Sequence, residues 1–275
     1  MKKIAFLILL VHFCSIFSFG QSPKVIEDTL VKYIVKFKSI RDTAFRNKDV
    51  NNAIILADSA ENMLQRKLVF YTSKYPATLQ YDFDSLRKQD ISIVTSSDGL
   101  FRIYSWDHGV ESKNEENITV VQYKSGRSVY SCIMPDFGEW EDASSYDWYT
   151  YISTFKVHGK TYYLGSIHDI IDNCQRYEGL KIFAIENGKL NANINLIKGD
   201  SDMVGELGFM YDVFLTDTTI TSRCLTNHRI VFDNKTNDII VPIVKDDAIV
   251  TSLNERYHFN GKYFEKVMVK PDAKN

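Results

Sequence analysis

Four cysteines in 275 residues are too few to staple a chain of this length, so the fold must rest on a buried core. Cys14 falls in an N-terminal stretch expected to be removed, which leaves Cys132, Cys174 and Cys224. An oxidising compartment permits a disulfide, but an odd number leaves at least one thiol over. Cys174 and Cys224 sit in polar surroundings near turns and form the candidate disulfide pair. Cys132 lies in an apolar strand-like run and reads as a small buried hydrophobe.

Charge of one sign is also lacking. Without Lys2 and Lys3 the chain carries 31 basic and 35 acidic side chains, a formal charge of −4. No run of Lys or Arg is dense enough to follow a phosphate backbone, so nucleic acid is not an expected partner. Beyond residue 20 no apolar run approaches the roughly 20 residues that a membrane span requires. The sequence contains no phosphate-cradling glycine loop, no Gly-x-Ser-x-Gly elbow and no dinucleotide fingerprint. No pair of histidines has the spacing of a zinc motif, and the cysteines do not complete one. These absences count against the common enzyme classes; no cofactor and no metal site is expected.

What is present begins with a leader. Lys2 and Lys3 precede the apolar run Ile4 to Val11, and Ser18 and Gly20 stand three and one positions before Gln21. That order of charge, apolar run and small residues predicts a signal peptide over residues 1–20, cleaved near Gly20, and a periplasmic or secreted protein. Bulky His12 and Phe13 before Cys14 argue against lipid attachment at that cysteine.

The mature chain opens with helix. Ile26, Leu30, Tyr33, Ile34, Phe37 and Phe45 keep the three-and-four spacing of one helix face. After Asn47-Lys48-Asp49 a second helix carries Ala53, Ile54, Ala57, Ala60, Met63, Leu64 and Leu68, so residues 21–75 form a helical hairpin. A polar connector follows over residues 76–90. From Ile91 the period changes to two, in six hairpins marked by turns such as Ser96-Ser97-Asp98-Gly99, Asn187-Gly188 and Asn260-Gly261. Asn and Gly suit these turns because both tolerate positive φ. The predicted class is α+β and mainly antiparallel β: a helical hairpin packed on a β-hairpin meander over 91–270, with a tail at 271–275. A propeller-like arrangement is favoured slightly over a two-sheet sandwich or an open barrel.

The segment Ser96 to Asp107, ending in Trp106-Asp107, resembles a WD-repeat strand pair, although no second copy recurs near a 40-residue period. Together with the helical N-terminus and the closing Tyr257-His258-Phe259-Asn260-Gly261-Lys262-Tyr263-Phe264, it resembles a group of uncharacterised exported bacterial proteins. The resemblance implies the architecture and brings no activity with it.

The longest interruption of the strand pattern, Pro135 to Trp148, holds the candidate site. It contains Glu139, Trp140, Glu141, Asp142, Tyr146 and Trp148, two of the three tryptophans in one acidic loop. Aromatic faces stack on the apolar side of a sugar ring while carboxylates accept its hydroxyl protons. A non-catalytic binding module for a glycan or an envelope protein is the first expectation. A hydrolase acting on a saccharide or cell-wall component, with Glu139, Glu141 or Asp142 as acid and base, is the alternative. Gly199 to Glu206 has oxygen ligands at alternate positions like a calcium loop, but Val204 and Tyr211 stand where ligands belong, so it reads as a polar turn.

Overall fold

The computed structural model describes residues 21–46, 50–107, 118–134, 148–171, 174–216 and 230–267. Residues 1–20, the expected signal peptide, lie outside the described residues, as do Cys224 and the loop residues Glu139, Trp140, Glu141, Asp142 and Tyr146. The chain is α+β with mainly antiparallel strands and an N-terminal helical pair.

Helices α1 (Pro23–Arg46) and α2 (Val50–Lys74) pack on each other through the apolar positions that the sequence spaces three and four apart. Ile26, Leu30, Ile34 and Phe37 of α1 and Ala57, Leu64 and Leu68 of α2 are buried in one cluster. The connector that follows is less polar in effect than in composition. A 3-10 turn (Pro76–Gln80) leads to the one-turn helix α3 (Asp84–Arg87), and Phe83 and Leu86 are fully buried in the same cluster. Phe83 takes a left-handed φ of 54°, which turns the chain sharply and aims its ring at Tyr104.

The strands are β1 (Ser92–Thr95), β2 (Phe101–Trp106), β3 (Ile118–Ser125), β4 (Ser128–Ile133), β5 (Tyr149–Val157), β6 (Lys160–Ile170), β7 (Gln175–Glu186), β8 (Lys189–Asn191), β9 (Ile197–Lys198), β10 (Met203–Val204), β11 (Glu206–Asp212), β12 (Val231–Asp233), β13 (Asp238–Val244), β14 (Val250–Phe259) and β15 (Phe264–Val267). A short helix α4 (Val213–Thr216) follows β11. The first sheet is the meander β1-β2-β3-β4 and the second has the order β11-β7-β6-β5, with β8 paired to β7. The third runs β10-β9-β15-β14-β13-β12, in which β15 meets β9 in parallel.

Alternation along the strands shows how the sheets stack. On β2, Tyr104 and Trp106 face the helices while Phe101 and Ile103 face the second sheet, so all six residues are buried. On β6 and β7, Tyr163, Ile167 and Phe183 meet the first sheet while Leu164, Leu180 and Ile182 meet the third. The order of layers is therefore helical pair, first sheet, second sheet, third sheet. Sheets built from successive hairpins and packed face on face are common to the propeller and sandwich expectations; here the helical pair covers the outer face of the first sheet.

Three sheet features depart from the sequence pattern. β11 pairs along its whole length with β7, at a place where Glu206, Gly208 and Asp212 hide the period-two signal. β14 starts at Val250, where Thr251, Ser252, Asn254 and Glu255 hide the period-two signal. The strand that follows the Asn187-Gly188 turn, β8, is only three residues long, after which the chain leaves the second sheet.

A close fit holds the β7–β11 seam. Gly179 and Gly208 are register partners, and the Tyr177 ring lies over both. A Cβ on Gly179 would sit 2.8 Å from the ring, and one on Gly208 would fall on the hydroxyl, which donates to Glu206 Oε1 at 2.8 Å. Gly208→Ala should therefore displace the ring and cost about 1–3 kcal/mol, an overpacking penalty readable by urea denaturation.

Candidate functional site

The sequence-predicted loop ends at Trp148, where it enters the second sheet. The Trp148 carbonyl accepts a hydrogen bond from the His168 backbone N–H at 3.0 Å. His168 is the register partner of Glu178, and Glu178 that of Phe209. Trp148, His168, Glu178 and Phe209 thus form one transverse row across β5, β6, β7 and β11. A bulge between Tyr149 and Tyr151 leaves Tyr149 facing the first sheet and Trp148 on the opposite face with His168. The adjoining row on that face is Ile170, Arg176 and Tyr211.

The centre of the row is a histidine–carboxylate pair. Glu178 is 2 % exposed, and its Oε1 lies 2.5 Å from His168 Nδ1. An ionised carboxylate only accepts, so the proton of this bond sits on Nδ1. Among the described residues Nε2 of His168 meets no hydrogen-bond partner, and the side chain keeps 23 % of its surface open to solvent. A carboxylate that fixes one ring nitrogen also orients the other. Nε2 of His168 can accept a proton or hydrogen bond from a ligand hydroxyl beside Trp148, or donate one when the ring is charged.

Two more charged groups are buried nearby. Arg176 is 4 % exposed and donates to the Gln175 carbonyl at 2.8 Å. Asp169, on the opposite face of β6, accepts from the Ile170 N–H at 2.7 Å. Asp169, Arg176 and Glu178 thus place three buried charged side chains at one end of the second sheet.

The other sequence candidates fall elsewhere. Cys174 lies just before β7, while its expected partner Cys224 is outside the described residues. Cys132, on β4, is half-buried against the second sheet, and burial pushes its thiol pKa up, which suits packing rather than reactivity. Gly199 to Glu206 is a hairpin turn closed by Gly199 N–H to Asp202 O at 2.8 Å. Among the described residues no group of three or more His, Cys, Asp or Glu is placed to hold a metal ion. A second histidine–carboxylate pair lies on the outer face of the third sheet, where Asp238 accepts from His258 Nδ1 at 2.7 Å and also faces Arg256.

Sequence reasoning did not find the His168–Glu178 pair. The signal available was phase: both residues alternate with apolar neighbours and straddle the same turn. No known protein family, no curated protein and no solved structure matches this chain.

Proposed function

We propose that this chain is an exported, non-catalytic binding module of the cell envelope, with a glycan as the first ligand class and an envelope protein as the second. The ligand is held where the acidic aromatic loop joins the second sheet. One observation carries the reading: the loop's last residue, Trp148, stands across the sheet from His168, whose backbone N–H donates to the Trp148 carbonyl and whose ring is oriented by the buried carboxylate of Glu178. An aromatic face beside an oriented hydrogen-bonding nitrogen is the pairing that a sugar requires. Glu178 is committed to His168, and glycoside cleavage needs two carboxyl groups roughly 5–9 Å apart, one of them free to give up a proton. Export rests on the leader, Met1 to Gly20; among the described residues no helix is long and apolar enough to cross a membrane.

A thermal-shift screen against glycans and wall fragments tests the reading. A ligand at about 100 times its dissociation constant raises stability by roughly 2.7 kcal/mol. Trp148→Ala and His168→Ala should each weaken binding about tenfold or more while leaving the circular dichroism spectrum unchanged. Trp140→Ala with Trp148→Ala should abolish it. A double variant that binds normally removes the loop from the site, and turnover of the bound glycan would replace the binding reading with the hydrolase one.

A further inference from the structure

The face that carries Trp148 and His168 continues along β5. At Phe155 it is covered, the ring packing on Phe259 and Phe264 of the third sheet. At Tyr151 that cover has ended, and the side chain is 58 % exposed. Tyr151 is the register partner of Ser166, which stands two residues before His168 on β6. Trp148 and Tyr151 therefore rise from neighbouring rows of one face, about 7 Å apart along the strands. Two of the described tyrosines are exposed. Tyr130 stacks on Tyr123, whereas Tyr151 meets no other ring among the described residues. The strip thus offers two aromatic side chains in line on β5, and beside them on β6 the half-buried Ser166 and Nε2 of His168.

We propose that the ligand is an unbranched, β-1,4-linked oligosaccharide that lies along β5, with one pyranose ring on Trp148 and the next on Tyr151. This rests on the glycan reading and adds the size and shape of the ligand to it. Pyranose rings joined through equatorial β-1,4 bonds form a flat, extended ribbon that presents a C–H face at every ring. Such a ribbon suits two aromatic side chains standing in line on an open strand, where a compact sugar would need a pocket. Hydroxyls along one edge of the ribbon then meet Nε2 of His168 and the Ser166 hydroxyl, which both donates and accepts. A single sugar covers Trp148 or Tyr151 but not both, so affinity rises with the number of rings.

Tryptophan-fluorescence titration of the purified chain tests this, with β-1,4-linked oligomers of N-acetylglucosamine and of glucose, one to four rings long. In at least one of the two series the affinity should rise about tenfold from one ring to the longer oligomers. Tyr151→Ala should remove that rise, and Tyr151→Phe, which keeps the ring, should retain it. Because Tyr151 is exposed, neither variant should move the melting temperature without ligand. Binding that does not depend on length overturns the inference, as does a rise that Tyr151→Ala leaves intact; in both cases the glycan site at Trp148 and His168 still stands. Failure of both series to bind also overturns it. The glycan reading itself falls only if the wider screen of glycans and wall fragments finds no ligand either.

Discussion

Replacing Arg102 with methionine should destabilise the chain by about 3 kcal/mol, several times the effect of removing any surface ion pair. Arg102 is 3 % exposed, on the helix-facing side of β2. Its Nε donates to Thr95 Oγ1 at 2.7 Å, and Nη1 donates to the carbonyls of Thr78 at 2.8 Å and Tyr81 at 2.6 Å. Its guanidinium carbon lies 5.9 Å from the ring centres of both Phe83 and Tyr104. This cation is held by carbonyl dipoles and ring faces, and it fastens the 3-10 turn to the first sheet. Hydrogen bonds to a charged group contribute about 1.5–3 kcal/mol each, and methionine would leave the Tyr81 carbonyl facing an apolar side chain. Lysine should not rescue it, since one ammonium cannot reproduce the planar fork that serves three acceptors. By contrast, the exposed pair Lys38–Asp90, at 2.7 Å, should contribute under about 1 kcal/mol. Guanidinium denaturation of Arg102→Met, Arg102→Lys and Lys38→Ala separates these effects, and an Arg102→Lys variant as stable as the parent would contradict the account.

Glu27→Gln should cost about 2 kcal/mol at neutral pH, with the difference shrinking as the solution is acidified. Glu27, on α1, is 1 % exposed and its carboxylate meets the start of α3. One carboxylate oxygen accepts from the backbone N–H groups of Ser85 at 2.6 Å and Leu86 at 3.2 Å, the other from the Tyr81 hydroxyl at 3.0 Å and from Lys24. Burial pushes the carboxyl pKa up, but these donors together outweigh it and hold the group below its usual 4.5. A depressed carboxyl pKa adds stability that is fully present above the unfolded value and is lost as pH falls through the folded one. The parent should lose this contribution on acidification below about pH 4.5, whereas glutamine, with no proton to gain, should not. Urea midpoints measured at pH 7 and pH 3 check the sign: a gap between parent and variant that stays constant would show that the charge is immaterial.

These two residues also show where sequence reading stops. The helical pair was legible because Ile26, Leu30, Ile34 and Phe37 repeat at helical spacing, and the hairpins because Asn187-Gly188 and Gly159 need backbone angles few other residues adopt. Glu27 and Arg102 look like surface residues in sequence. Their burial depends on partners 54 and 24 positions away, Tyr81 and Thr78, which no local pattern encodes. Gln122 is the same case, fully buried between the Tyr104 hydroxyl, the Thr72 carbonyl and Thr78 Oγ1. At the candidate site, composition marked Trp148 as interesting, yet His168 and Glu178 became a pair only once the register of β6 against β7 was known. Alternation predicts which face a residue takes; it does not predict which residue stands opposite.

The layer order also has a consequence for how the chain is made. The helical pair is synthesised first, but the surface it must cover, Tyr104, Trp106 and Val120, belongs to strands that emerge later. From the end of α2 at Lys74 to the end of β4 at Ile133, roughly 60 residues must follow, which takes about 3–12 s at 5–20 residues per second. For those seconds Leu30, Phe37, Leu64 and Leu68 have nothing to rest on but each other. The interval is a window in which a holding chaperone would meet an apolar helical hairpin, and it closes when the fourth strand arrives.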